Sequence, residues 1–346
     1  MSTSSFKFHF LLVMVCWASG FTVAAQSITD FDRALAEFQA GNYAQAATMF
    51  ATVESAVPGT TDALLYRAKS LVHVEDFAAA DQALRAYLQS HRNSSDALYM
   101  LGFVLNRQNR AGDSLAMYTQ AAAITPPNSD DLKIVGLDYV LLNDYADAIK
   151  WLEKAVAFDN KNKDAWYYLG RAYYTRSQLN EARNAFLKVL DLDPHDAKAE
   201  NNLGLIFETE GNVTSAIEAY RKAIAMQQQT SQVNEQSYVN LGNLLAEQGR
   251  DSEAVGPLEK AVALAPNNAY CHLTLGVLYR KTGQTEKARR ELLRATELDP
   301  DNAITHYQLG RLYKEVNDIA RAKAEFDRTA DLQGRASRTK VGSSNH

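Results

Sequence analysis

Five histidines lie between the apolar N-terminal stretch and the last residues of the chain: His73, His91, His195, His272 and His306. Two of them, His272 and His306, stand 34 residues apart. A repeating fold would bring them to equivalent places, and imidazole pairs are a common nucleus of a transition-metal site. The repeat spacing sets no carboxylate or thiol beside them except Cys271, which neighbours His272 and so points elsewhere on a helix. The expectation is therefore two bulky side chains filling one structural slot. Cys271 sits near the start of a predicted helix, where a thiol pKa can be lowered. A small, semi-buried residue is the plainer reading. The sequence has no Gly-rich phosphate loop, nucleophile elbow or zinc-protease helix motif. Catalytic residues, metal ligands and cofactors are accordingly expected to be none, and the protein is not expected to be an enzyme.

Composition narrows the remaining classes. The chain has 346 residues, 46% hydrophobic and 22% charged, which is ordinary for a soluble fold and excludes disorder throughout. With 36 Lys and Arg against 41 Asp and Glu, the formal charge is −5. No basic excess exists to neutralise phosphates, so nucleic acid is not an expected partner. Two cysteines, Cys16 and Cys271, cannot staple a disulfide-rich scaffold.

The N-terminus differs from the rest. Lys7 is the only charged side chain before Asp30, an apolar run covers Phe8 to Ala18, and Val23-Ala24-Ala25 has the small residues of a cleavage site. The expectation for residues 1–25 is a secretory signal peptide. The protein would then be exported, periplasmic or secreted. The alternative is an uncleaved anchor over Phe6 to Ala25, and a membrane is a partner only in that case. A lipoprotein site at Cys16 is disfavoured by the bulky Val15 before it. Cleavage would remove Lys7 and leave a formal charge of −6.

The elements that must position any site follow from one period. Gly102, Gly136, Gly170 and Gly204 are 34 residues apart, as are Gly242, Gly276 and Gly310. Four extra residues separate Gly204 from Gly242, and Ala68 and Ala34 continue the phase backwards. Nine repeats result: 27–60, 61–94, 95–128, 129–162, 163–196, 197–230, 235–268, 269–302 and 303–336.

Each repeat reads as two helices. Around the glycine, large apolar residues recur at helical spacing, as in Trp166, Leu169, Gly170 and Tyr173. Seven residues on, Gly41, Asn109, Asn143, Gly211, Gly249, Gly283 and Asn317 suit the left-handed helix end. Glu75 and Ser177 depart from that pattern. The second helix carries a small residue from Ala46 through Ala80, Ser114 and so on to Ala322. A large one follows four residues later, from Phe50 to Phe326. Pro58, Pro126, Pro194, Pro266 and Pro300 mark its end. Thr60, Ser94, Asn128, Asn162, Asp196, Asn234, Asn268 and Asn302 are N-cap types before eight first helices.

These features resemble the tetratricopeptide repeat (TPR) pattern, most clearly in Trp166, Leu169, Gly170, Tyr173, Ala182, Phe186 and Pro194. The resemblance covers nearly the whole chain after residue 26. It implies an all-α fold, a right-handed α-solenoid of about nine helix hairpins whose first helices line a concave face. Members typically bind peptides or proteins there and are not themselves enzymes.

Carrying the inward positions onto this chain gives a candidate partner-binding set. It comprises Tyr66, Lys69, Tyr99, Phe103, Arg107, Tyr167, Tyr168, Arg171 and Tyr174, with Asn201, Asn202, Asn240 and Asn243. Aromatics beside arginine make anchor pockets, and asparagine amides can hold an extended backbone. Packing between repeats is the competing use of the tyrosines. Some members grip a C-terminal carboxylate with Lys, Asn and Arg. Here Lys133 has Leu137 where that clamp needs Asn, so the clamp is absent.

Three departures carry expectations of their own. The insert at Met226–Asn234 lengthens a second helix or bulges its loop. Pro257 kinks its helix or delays its start. Residues 337–346 form a disordered tail. No separate capping helix follows the last repeat, so self-association through that end is an alternative role to a scaffold for other proteins. Asn93 and Asn212 begin Asn-x-Ser/Thr sites that matter only in a eukaryotic secretory route.

Overall fold

The computed structural model describes residues 29–56, 62–229 and 233–342. The proposed signal peptide, the cap Thr60 and residues 343–346 lie outside them. Every element among the described residues is a helix, and they pair into nine hairpins in the expected register.

The chain divides into two compact units at Glu181 and Ala182. The first unit contains α1 over 29–39, α2 (Tyr43–Ala56), α3 (Ala63–His73), α4 (Phe77–Ser90), α5 (Ser95–Arg107), α6 (Ala111–Ala122), α7 (Ser129–Leu141), α8 (Tyr145–Phe158) and α9 (Lys163–Thr175). The division falls inside α10 (Leu179–Leu192). The second unit continues with α11 (Ala197–Thr209), α12 (Val213–Gln228), α13 (Gln236–Glu247), α14 (Asp251–Leu264), α15 (Ala269–Lys281), α16 (Thr285–Leu298), α17 (Ala303–Glu315) and α18 (Ile319–Gly342).

The repeat glycine is explained by what it faces. A Cβ on Gly102 would lie 2.6 Å from the Tyr118 ring, and one on Gly204 would lie 2.5 Å from the Tyr220 ring. The glycine of the first helix thus accommodates the large residue of the second. The backbone of the small residue comes next, with Ala148 O 3.3 Å from a Cβ on Gly136. Ala46, Ala80, Ser114, Ala148, Ala182, Ala216, Ala254 and Ala288 are fully buried.

The turns repeat more strictly than their residues do. All seven Gly and Asn positions have positive φ, and so do Glu75 (φ 60) and Ser177 (φ 59). The closing hydrogen bonds are equally uniform. Arg110 N donates to Leu105 O at 2.9 Å, and its counterparts Asp76 N and Gln178 N donate to Leu71 O and Tyr173 O, each at 2.9 Å. Closing bonds of this kind satisfy carbonyls that a helix end leaves open, and they hold the two ill-suited residues in the left-handed region.

The caps follow the sequence at six first helices. Ser94, Asn128, Asn162, Asp196, Asn268 and Asn302 all accept from backbone N–H groups of the first turn, Asn128 in a full capping box. α10, α14 and α16 end two residues before Pro194, Pro266 and Pro300, whereas α6 ends at Ala122, four before Pro126.

Half of the insert lengthens a helix: α12 runs 16 residues against 14 in α10 and α14. Asn234 is displaced from the cap position by one residue, and Glu235 takes it without a side-chain bond. Asn234 still accepts from Gln236 N at 3.1 Å. Buried Gln227 fastens the loop, accepting from Asn234 N at 3.1 Å and donating to Ser237 Oγ at 3.2 Å.

Two expectations need correction. Of the two effects expected of Pro257, the delayed start does not occur: Pro257 lies inside α14 and the helix begins at Asp251. Proline there removes the N–H bond to the carbonyl of Glu253 and crowds that carbonyl with its ring. The supposed tail is not a tail as far as Gly342, because α18 continues to that residue for a total of 24. Residues 335–341 contain no proline or glycine, and Arg, Ala and Lys are good helix formers, so nothing local stops the helix where the repeat ends.

Candidate functional site

First helices two elements apart touch in part of each unit: α5 with α7 and α7 with α9, then α13 with α15 and α15 with α17. Second helices do not approach each other to the same degree. These first helices, α5, α7 and α9 in one unit and α13, α15 and α17 in the other, therefore line one side of their unit.

In the first unit much of the aromatic set is spent on packing. The Tyr66 ring lies 5.8, 5.6 and 5.6 Å from Phe31, Phe38 and Phe50, with the Lys69 ammonium 4.8 Å above it. Tyr99 donates to Thr125 O at 2.6 Å, and its ring lies 5.7 Å from Tyr118. Phe103 packs against the same clusters as Leu101 and Tyr118. Arg107 is exposed and stacks 5.1 Å over Phe77. On α9, Tyr167, Arg171 and Tyr174 share one face by their spacing, and Arg171 is exposed. Tyr168 turns away into the cluster around Leu169, its ring 5.5 Å from Tyr167. Lys133 is held by Asp130 at 2.7 Å.

In the second unit the amides form a cross-repeat arrangement. Asn240 Nδ2 donates to Asn201 Oδ1 at 3.0 Å, and Asn240 Oδ1 accepts from Gln236 Nε2 at 2.9 Å. Asn243 Nδ2 donates to the Tyr270 hydroxyl at 3.1 Å. Asn202 stands apart, because its amide donates to Lys198 O of its own helix at 2.7 Å. Sequence reasoning passed over Tyr270, Ile304 and Tyr307, which stay 53%, 62% and 45% exposed on first helices. The signal was available. Six residues before the repeat residue stand Asp62, Asp96, Asp130 and Asp164 in the first unit, and at that place the last two repeats carry Tyr270 and Ile304.

The histidines occupy a structural slot, with one addition. His272 Nε2 meets Pro266 O at 3.0 Å, and His306 Nε2 meets Pro300 O at 3.0 Å. Trp166 Nε1 donates to Asn160 O, the equivalent carbonyl, also at 3.0 Å. Each histidine does have a carboxylate after all: Glu291 is 2.8 Å from His272 Nδ1, and Glu325 is 2.6 Å from His306 Nδ1. The repeat spacing hid these partners because they lie on the following helix. Among the described residues no group of three or more His, Cys, Asp or Glu side chains is placed to hold a metal. Cys271 is fully buried, and burial, with Glu235 nearby, pushes its thiol up to about 11. No helix among the described residues is long and apolar enough to cross a membrane.

Comparison with known proteins agrees with this geometry. Tetratricopeptide repeat profiles match residues 31–73, 67–129, 169–232, 236–265 and 258–290, and TPR repeat profiles match 136–176 and 278–317. No curated protein matches the chain in sequence. Among solved structures, a chain of the APC/C hetero-tetramer Cut9–Hcn1 matches 83% of this chain at 17% identity with a TM-score of 0.55. This chain spans about half of that one, 56%. A tetratricopeptide repeat protein from Parabacteroides merdae matches 72% of this chain at 18% identity, with 96% of its own length covered and a TM-score of 0.58. Both likenesses concern the fold. With the period, the turns, the glycine packing and the profiles in agreement, the chain belongs to the tetratricopeptide repeat family.

Proposed function

We propose that this protein is an exported, non-catalytic scaffold that holds a protein or peptide partner on the inner faces of its first helices. The repeat family supplies the coarse part, a protein–protein interaction scaffold. The export step rests on the sequence of residues 1–25, and a role in assembly or secretion at the envelope follows from that compartment. The observation that carries the binding reading is the amide row of α13, in which buried Asn201 holds half-buried Asn240 at 3.0 Å and Asn240 holds exposed Gln236 at 2.9 Å. Such amides offer donors and acceptors to a peptide backbone whatever its side chains. The related fold of Cut9–Hcn1 occurs in a hetero-tetramer, which is the same general use.

The test is crosslinked capture from envelope and secreted fractions with the full chain. A second bait carries Tyr167→Ala, Arg171→Ala and Tyr174→Ala, and a third carries Asn240→Ala and Asn243→Ala. A partner lost from either variant supports the inner-face reading. Equal capture by all three baits moves the site to another surface. Capture of the bait alone favours self-association. N-terminal sequencing of the exported protein should begin at Gln26, and a chain found intact in the cytosol would refute export.

A further inference from the structure

We infer that the inner face of the last three hairpins, α13 to α18, selects an extended peptide segment that presents a bulky apolar side chain followed within a few residues by carboxylates. The inference rests on the scaffold reading above and specifies the chemistry of its partner.

Three observations converge. First, Tyr270, Ile304 and Tyr307 are the large apolar side chains left exposed along the described first helices of the second unit. The other exposed ones there, Leu187, Leu293, Val316 and Ile319, lie on second helices or at the turn before α18. Exposed apolar surface gathered on one face, with polar neighbours around it, marks a contact site. Second, Ile304, Tyr307, Arg311 and Lys314 follow one another at i, i+3, i+7 and i+10 on α17, so they line one stripe. The Arg311 guanidinium lies 6.0 Å from the Tyr307 ring centroid. Neither Arg311 nor Lys314 is held in an ion pair among the described residues, whereas Glu315 beside them is taken by Arg280 at 2.5 Å. Two cations therefore remain next to the apolar patch with their local carboxylate already engaged. Third, Asn243 anchors the Tyr270 hydroxyl at 3.1 Å, which presents the ring in a fixed position instead of leaving it free.

The spacing sets the ligand. Tyr307 to Arg311 and Lys314 spans four and seven residues of helix, about 6 and 10 Å of rise. An extended chain covers that in two to three residues. The matching segment has its carboxylates two to three places from its apolar anchor. The amides of Gln236 and Asn240 on the same face suit a peptide backbone, and the net negative charge of the chain disfavours a polyanion such as nucleic acid.

The experiment is fluorescence anisotropy with the full chain and three labelled peptides of equal length in a Gly/Ser frame. One carries Phe with Asp-Glu at the second and third places after it, one carries Phe with Lys-Lys there, and one carries Ser with Asp-Glu. The first should bind about tenfold tighter than either control. Arg311→Glu with Lys314→Glu should remove that preference and improve the Lys-Lys peptide. Tyr307→Ser should reduce binding of both Phe peptides. All of these substitutions are at exposed positions, and an unchanged melting temperature checks the fold. Equal affinity for the three peptides, no binding of any, or indifference to the charge reversal would overturn the inference. So would tighter binding of an oligothymidylate than of the Phe–Asp-Glu peptide. If the peptides fail while the capture experiment still loses its partner in an inner-face variant, the scaffold reading stands and only this ligand chemistry falls.

Discussion

The Asp138 Oδ2 atom lies 2.6 Å from Ser114 Oγ, and both residues are fully buried between α5, α6 and α7. Asn106 Nδ2 donates to the other carboxyl oxygen at 2.8 Å, and Ser114 Oγ also lies 2.8 Å from Gly102 O. A hydroxyl has one proton and cannot donate to both of its neighbours. With Asp138 ionised, Ser114 donates to it; with Asp138 protonated, Asp138 donates to Ser114 and Ser114 donates to Gly102 O, while Asn106 donates to Asp138 in both states.

Burial raises the Asp138 carboxyl from its ordinary 3.8 to about 6, while hydrogen bonds from Ser114 and Asn106 pull it back in part. A carboxyl with a raised folded-state pKa binds its proton more tightly when folded. Its contribution to stability therefore grows as pH falls from above 6 towards 4 and is level outside that window. Asp138→Asn can make the same three bonds without a charge. It should raise stability by about 1–2 kcal/mol at pH 7.5 and flatten the slope between pH 4 and 6. Urea unfolding at several pH values reads both. Equal loss of stability at pH 5 and 7.5 would show that the carboxylate itself is required.

Glu75 and Ser177 hold a left-handed conformation that their side chains oppose. Glu75→Gly and Ser177→Gly should each stabilise the protein by about 1 kcal/mol, and the two effects should add because the turns are separate. Asn109→Ala should cost a similar amount. Thermal melts of the single and double variants decide this, and a neutral double variant would contradict it.

The repeat glycines should separate by environment. Gly204→Ala drives a Cβ into the Tyr220 ring and should cost about 1–3 kcal/mol. Gly334→Ala, within α18 and with nothing inside 4 Å of the added Cβ, should gain up to about 1 kcal/mol from helix propensity. Chemical denaturation of the pair should show opposite signs.

Gln227 fastens the insert. Gln227→Met keeps the volume but leaves Asn234 N and Ser237 Oγ without this partner, at a cost of about 1–3 kcal/mol. Hydrogen exchange should then quicken at Asn234 and over the first turn of α13. Unchanged exchange there would mean that the loop is held by other contacts.

Much of this protein could be read from residue types alone because its periodic contacts are local. The 34-residue spacing, the caps at Ser94 and Asn128 and the left-handed turn at Asn109 each depend on a few neighbouring residues. The candidate site was less legible. Tyr66 and Tyr167 occupy the same type of inward-facing helix, yet Tyr66 is surrounded by Phe31, Phe38 and Phe50, and nothing in its own repeat announces that. Tyr168 looked equivalent to Tyr167, but one residue is a rotation of about 100° on a helix and sets it against the cluster around Leu169.

By itself the sequence determined the nine hairpins, their register and most of their ends, since hydrogen bonding and side-chain periodicity within one repeat suffice for these. Only the tertiary structure decided which inward side chains are packed and which remain open, because that depends on the size of residues a full repeat away. It also decided that Glu75 and Ser177 adopt a conformation they disfavour, that Glu291 and Glu325 reach the histidines, and that Asp138 is sealed among three helices. At Glu75 and Ser177 the closing bonds of the hairpin turn outweigh the local preference, and at the other sites the partners come from neighbouring helices.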